Sequence, residues 1–526
     1  MKNRKFILFT FLSIMLADSC TKLNETVGGN LTPGQVANDS LSATVLLQGV
    51  YASLEFTFTS FQQIFALADI TTDEAIVPTR GNNWDDNGQW RVLHQHKWDP
   101  NNAVIYNCFK SLGGVIYAAT DMLQYNPSLQ QQAEARFLRA WAMYWLLDLF
   151  DQIPYREPRD SLTQPSKVRK GDSALDYIIS EVNAVEPDLP DGPVDKANRY
   201  AAQVLLMKCY LNKGVYENRA KPMFDPDDMN RVISLADSII KSNKFSFSAN
   251  YFDNFSPDNG SIGKENIFTQ ASNPDGNYAL ALSWLAVLNY VQYYQYTGQI
   301  CFNGFTTLPK FYNKFESTDK RREAVYAYPN SPPNPGHRIN LGFLIDQQYD
   351  LSTDSPLTSF SGLPVIYTPE VQNIELGPNL EMPGIRPVKY APDFLNFFVF
   401  ATPTNNFVYF RFPDVLLMKA EAIWRGGTAT GAGPYGSSAL AIVNAIRTDP
   451  SRGATPLSSL TPDNLLDERG RELWWENWRR QDMIRFEKFL EPFQEKDDPS
   501  DPKYLLFPIP YEQLAVNPYL EQNPGY

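Results

Sequence analysis

Hydrophobic residues recur every three to four positions through both ends of the chain, the spacing of amphipathic helices. Between Leu41 and Glu55, the residues Val45, Leu46, Gly49, Val50, Ala52 and Leu54 recur at three-to-four spacing. Asn102 to Gln124 repeats the pattern with Ile105, Phe109, Leu112, Ile116, Ala119 and Leu123. Ser128 is placed to cap a third helix over Leu129–Phe150, which the Ile153-Pro154 pair would close. Further helices are predicted over Ser173–Val185, Asn198–Lys213 and Met229–Ser242.

From about Phe245 to Asn405 the periodicity fades, and Pro, Asn, Asp, Ser and Gly dominate with tyrosines between them. One helix near Thr307–Phe315 and a strand-like piece at Pro364–Tyr367 are the regular elements expected there. A loop tract this long inside a folded protein is uncommon and usually functional. Helical spacing returns at Tyr409–Arg425, Ser437–Arg447 and Pro462–Leu490, the last begun by a Thr461 cap with proline at the first helical position. The fold class is therefore mostly α: helix pairs stacked as a tetratricopeptide-like solenoid with a large irregular insert. The expected divisions are 36–245 (helical), 246–406 (loop-rich, ligand-binding) and 407–526 (helical).

The first residues belong to an address rather than to the fold. Lys2, Arg4 and Lys5 precede an apolar run from Phe6 to Leu16, too short to span a bilayer. Ala17-Asp18-Ser19-Cys20 follows, so residues 1–19 are expected to be a lipoprotein signal peptide, with Cys20 lipidated and 20–35 a tether. Acyl chains contribute about 0.8 kcal/mol per buried methylene, enough in combination for a lasting outer-membrane anchor.

A net charge of −13 argues against nucleic acid and against an anionic ligand. Beyond Cys20 only Cys108, Cys209 and Cys301 remain, which excludes a disulfide framework and suits buried small hydrophobes. With 33 Phe, 28 Tyr and 10 Trp, the chain has rings to spare for stacking on sugars once its core is filled.

Four segments in order resemble the SusD/RagB family of nutrient-binding outer-membrane lipoproteins. They are Glu134–Phe150 followed by Ile153-Pro154; Arg411–Ala422; Leu466–Asp482; and the ending from Leu506–Pro510 through Asn517-Pro518 to Gln522–Tyr526. The resemblance implies a glycan-capturing surface lipoprotein whose helical face docks a TonB-dependent outer-membrane transporter. It also implies that the Leu466–Asp482 motif is a signature of the fold. By spacing, that motif offers Asp467 with Arg471 and Glu476 with Arg480 as i,i+4 pairs, and its charge density is read as an ion-pair lattice between helices rather than an acid/base site.

Two tracts carry candidate ligand chemistry. Arg80 to Trp90 packs Arg80, Asn83, Trp84, Asp85 and Trp90 into eleven residues. Such a loop supplies an aromatic platform for the C–H face of a pyranose and polar forks for its hydroxyls. It is similar to the loop that contributes to the glycan site in polysaccharide-binding relatives; the alternative is that its tryptophans plug the solenoid. The second tract, Tyr278 to Tyr296, offers Trp284, Tyr290, Tyr293, Tyr294 and Tyr296. Asp319-Lys320-Arg321 is read as structural.

Enzyme signatures are lacking. His94-x-His96 has no third ligand at a usable spacing and is read as a satisfied surface pair, and no nucleophile elbow, phosphate loop or zincin helix occurs. No cofactor is expected; a structural calcium in the Asp/Asn-rich insert is the one addition its composition leaves open, without EF-hand spacing. The reading is a non-catalytic binder of neutral poly- or oligosaccharide. Its rivals are a surface glycoside hydrolase, whose paired carboxylates depend only on spatial separation, a peptide- or glycopeptide-binding member of the same family, and a pure scaffold.

Overall fold

The computed structural model describes residues 40–271, 284–334, 337–396 and 403–526. The expected signal peptide, Cys20, the tether and the first part of the tyrosine tract (278–283) lie outside the described residues.

The predicted N-terminal helices form where the periodicity places them. They are α1 (Ser40–Thr59), α2 (Ala103–Met122), α3 (Leu129–Phe150), α4 (Gly171–Val185), α5 (Arg199–Glu217) and α6 (Pro226–Lys241). Their starts are set by side chains that satisfy the first free amides. Asn102 accepts from the amides of Val104 and Ile105, and Ser128 and Gln131 form a capping box. Asn198 caps α5 through Ala201 N. From α2 to α6 each helix packs against the next in the chain. Helix α3 is buried along almost its whole length, including Trp141 and Trp145, and is the axis of the core.

The C-terminal region departs from its pattern in two places. Phe407–Arg411 is a strand, not the start of a helix, because it pairs antiparallel with Asn266–Gln270 and is buried throughout. Helix α7 (Phe412–Trp424) begins only after it, and α8 (Ala439–Arg447) follows with Ser438 as cap. The long helix expected over Pro462–Leu490 is broken into α9 (Pro462–Leu473) and α10 (Arg479–Arg485). At the break, Trp475 and Asn477 hold φ of 57° and 69°. Buried carboxylates fix that conformation: Glu74 accepts from Trp475 N, and Asp69 accepts from Asn477 N at 3.3 Å. The expected helix at Thr307–Phe315 shrinks to one turn, Pro309–Tyr312, after a strand at Thr306–Thr307.

The break redirects the charges of the motif. Asp467 pairs with Lys314 and Arg480 with Asp148, not along the helix. Glu472 accepts from Arg452, Arg411 and Arg321 at 2.7, 2.9 and 3.0 Å, and all four are fully buried. Arg411 also reaches Glu265 at 2.8 Å and Glu476 at 2.6 Å, and Lys389 donates to Glu476 at 2.5 Å. Arg321 adds Asp319 and Glu468, both at 2.7 Å. This is the lattice the charge density predicted, and it joins the loop-rich insert (Glu265, Arg321, Lys389) to α9 and the residues after it.

Among its described residues the insert's sheets are small and its helices short. Glu323–Ala324, Leu341–Leu344 and Arg386–Val388 form the three-stranded one, and Asp346–Gln347 pairs with Ile366–Tyr367. Cys108, Cys209 and Cys301 are free and buried. The histidine pair is buried, not on the surface: His94 bonds Ile70 O and Gln494 O, while His96 bonds Thr71 O and Ser500 Oγ. Among the described residues no group of three metal-ligating side chains comes together.

Candidate ligand-binding site

The two tracts singled out by composition meet in space. Thr79–Arg80 is a short strand pairing parallel with Ile374–Glu375, and the chain leaves it in a tight turn closed by reciprocal bonds between Arg80 and Asn83, at 2.9 and 3.1 Å. Trp84, Asp86, Asn87 and Gly88 all hold positive φ, so the loop coils back before a short helix, Gln89–His94. Asp85 accepts from Arg91 at 2.7 Å, and Arg91 also reaches Thr79, which ties the coil to the strand.

Trp84 is anchored at both ends. Its indole N–H donates to Phe302 O at 2.8 Å, and its ring packs edge-on against Phe305, Phe61 and Trp90. Gly304 permits this approach. A Cβ there would lie 2.8 Å from Ala286 O and closer still to the Trp84 indole. The ring is half-buried, so part of it remains at the surface. Beside it, the Asn83 amide donates to the Tyr290 hydroxyl at 2.8 Å, which is the join between the tracts. Asn289 donates to the Glu381 carboxylate at 3.1 Å. Burial, and next the charge of Glu381, push the Tyr290 hydroxyl above its ordinary value.

Four of the expected ligand residues are enclosed. Arg80 is 3% exposed and donates to Leu380 O and Pro383 O at 2.8 and 2.7 Å, so it braces the 380–384 turn from within. Arg386 bonds the same turn from the other side, at Glu381 O, Pro383 O and Gly384 O. Trp90, 1% exposed, donates to Asp86 and fills the space under Trp84; this is the plug anticipated as the alternative. Trp284 is buried against an apolar cavity of about 50 Å³ shared with Phe58, Phe65, Phe305 and Trp475. Tyr293 is buried with φ 60° and packs edge-on to Phe394. Burial corrects the expectation that these four present a face to bulk solvent. A sequence cannot separate a stacking platform from a core ring of the same composition.

The others stand at the surface. Asn83 is exposed and Asp85 partly so. Tyr294, 42% exposed, meets the 62% exposed Phe360 edge-on at 5.7 Å. Tyr296 donates to Asp350 at 2.6 Å and accepts from Ser352 N at 2.9 Å. Tyr290, named in the tract, is half-buried beside Asn83, while the buried Asn289, the half-buried Glu381 and the exposed Phe360 were not singled out. Phe360 and Glu381 come from parts of the insert with no local pattern to mark them.

The SusD family model matches residues 233–526. The chain belongs to the SusD family. It is 25% identical over 516 residues to the starch-binding protein SusD of Bacteroides thetaiotaomicron, covering 89% of this chain and 86% of that one. A SusD superfamily protein from Parabacteroides distasonis superposes with a TM-score of 0.67 at 20% identity, over 94% of this chain and 100% of the other. Surface glycan-binding protein A from Bacteroides thetaiotaomicron, solved with laminarihexaose, gives 0.66 at 16% identity over 91% and 98%. The helix-dominated architecture with its irregular insert is thus that of the SusD family.

Proposed function

We propose that this SusD family chain captures a neutral poly- or oligosaccharide at the cell surface, without cutting it, and delivers it to a TonB-dependent outer-membrane transporter. A lipid on Cys20 would hold it at the outer membrane. The observation that carries the reading is the junction at Asn83, Trp84 and Tyr290. There a fixed indole, an amide and a phenol lie side by side on the surface, the combination that stacks on a pyranose and bonds its hydroxyls. The relatives named above bind starch and a laminari-oligosaccharide, which supports the glycan class. Neutrality rests on charge. Arg80 and Arg386 are committed to backbone carbonyls, Arg91 is paired with Asp85, and the Glu381 carboxylate stands at the junction accepting from the Asn289 amide. An anionic sugar would meet repulsion there.

Electrophoresis through gels containing laminarin, starch, xylan or galactomannan tests the reading. One polysaccharide should retard the chain, Asn83→Ala and Trp84→Ala should relieve the retardation, and no new reducing ends should form. Retardation unaltered in both variants would remove the junction as the site. Absence of retardation by every polysaccharide would overturn the glycan assignment in favour of a peptide ligand.

A further inference from the structure

A second cleft lies elsewhere in the insert. It encloses about 460 Å³, within the range of ordinary small-molecule sites, roughly 300–1,000 Å³. Its floor includes Gln292 and Tyr293, next to Tyr290 in the chain, together with the buried Leu344 and Leu351. Tyrosines and arginines line the rest in pairs. The Arg322 guanidinium lies 4.5 Å from the centre of the Tyr312 ring and donates to its hydroxyl at 2.8 Å. The Arg338 guanidinium stacks 3.4 Å from the centre of the Tyr349 ring and is pinned by Asp354, which His337 also meets at 2.6 Å.

Two further features define what such a cleft holds. Arg322 lies 3.7 Å from Glu323 and Arg338 is paired with Asp354, so each guanidinium is already balanced and neither is left to select an anion. The amides of Gln347 and Gln348 are fixed by donating to backbone carbonyls, at 2.7 Å to Gln348 O and 3.1 Å to Ile345 O. Rings, fixed amides and balanced charge over an apolar floor suit a molecule that is polar at its edges, apolar on its faces and uncharged. We propose that this cleft is a second carbohydrate-binding site, for a neutral segment of the same glycan chain that the Asn83–Tyr290 junction captures. The inference rests on the glycan reading above and extends it. The Tyr290–Tyr293 stretch contributes to both sites, so one polymer engages both and gains from their joint effective concentration.

The test uses the full chain in detergent, the polysaccharide that retards it in the gels, and a hexasaccharide cut from that polymer. Titration calorimetry of the hexasaccharide should report two binding events per chain. Arg338→Gln combined with Tyr349→Ala should remove one event, and Trp84→Ala the other. Either change should weaken retention by the polymer at least ~10-fold, because bivalent gain is lost. Gln347→Ala is the milder cleft variant; its expected weakening of the second event with an unaltered unfolding midpoint separates binding from misfolding. A single event, abolished by Trp84→Ala and indifferent to all cleft variants, would overturn the second site and leave the first reading standing. Loss of all binding in the cleft variants, with Trp84→Ala indifferent, would move capture to the cleft and overturn the junction instead. No binding of polymer or hexasaccharide would overturn both.

Discussion

Replacing Glu472 by glutamine should be among the most damaging isosteric changes this protein can receive. The side chain is completely buried and accepts from three arginines, Arg452, Arg411 and Arg321, at 2.7, 2.9 and 3.0 Å. Glutamine keeps the volume, so no cavity opens, but it removes the charge and replaces one acceptor oxygen with a donor facing guanidinium groups. Removing one partner of a buried pair costs about 3–5 kcal/mol, since the remaining charge stays desolvated. Glu265, Glu468, Glu476 and Asp319 still compensate the three arginines in part, which favours the lower end of that range. Against a domain stability of about 5–15 kcal/mol, even 3 is a large fraction. The control is Arg136→Gln, which removes a half-exposed pair with Glu181 joining α3 to α4 and should cost at most about 1 kcal/mol. Urea unfolding of both variants at pH 7 gives the comparison. A midpoint for Glu472→Gln no lower than that of Arg136→Gln would refute the claim that the lattice holds insert and helices together.

Three other outcomes follow from the same structure. Burial alone would raise Glu421 and Glu468, yet Arg485 and Arg425 hold the first, and Arg321 and Arg471 the second, at about 2. Stability from these lowered groups is complete above the unfolded carboxylate value near ~4.3 and is lost as pH falls through about 2, so unfolding midpoints should drop steeply below pH 4. Asp69 behaves oppositely: burial pushes it up to about 8. Its contribution is complete below the unfolded value near ~3.9 and lost as pH rises through about 8, so Asp69→Asn should flatten the decline in stability between pH 4 and 8; an identical slope in the variant would disprove the assignment. Gly304→Ala should drive the Trp84 ring from its seat, costing about 1–3 kcal/mol of stability and reducing glycan retention, both measurable beside a tryptophan emission shift.

Local patterning was a good guide wherever one element decides its own shape. Ser128 with Gln131, and Asn102 and Asn198 ahead of apolar stripes, marked helix starts because the capping bond spans only two or three residues. It failed where a distant partner decides. Helical spacing runs straight through Trp474–Asn477, but Asp69 and Glu74, some four hundred residues earlier, hold the chain in left-handed geometry there. Tyr409–Arg411 reads as helix until Asn266–Gln270 is known to lie beside it.

The candidate site shows the same limit more sharply. Composition located the loop from Arg80 to Trp90 and the tract ending at Tyr296, and the Asn83–Tyr290 bond shows that they meet. It could not rank the residues within them, because an arginine bracing a turn and an arginine offered to a sugar are the same letter. Glu381 had no signal at all: it reaches the junction through Asn289, Asn303 and the turn held by Arg80 and Arg386. A surface assembled from three separated loops needs those loops held at fixed distances, and loops contribute little stiffness of their own. The lattice around Glu472 supplies it by fastening Glu265, Arg321 and Lys389 of the insert to the end of α9 and the turn after it. Its desolvation cost is therefore better explained by the precision it gives the binding surface than by stability, and Glu472→Gln should loosen glycan retention under conditions where the chain is still folded.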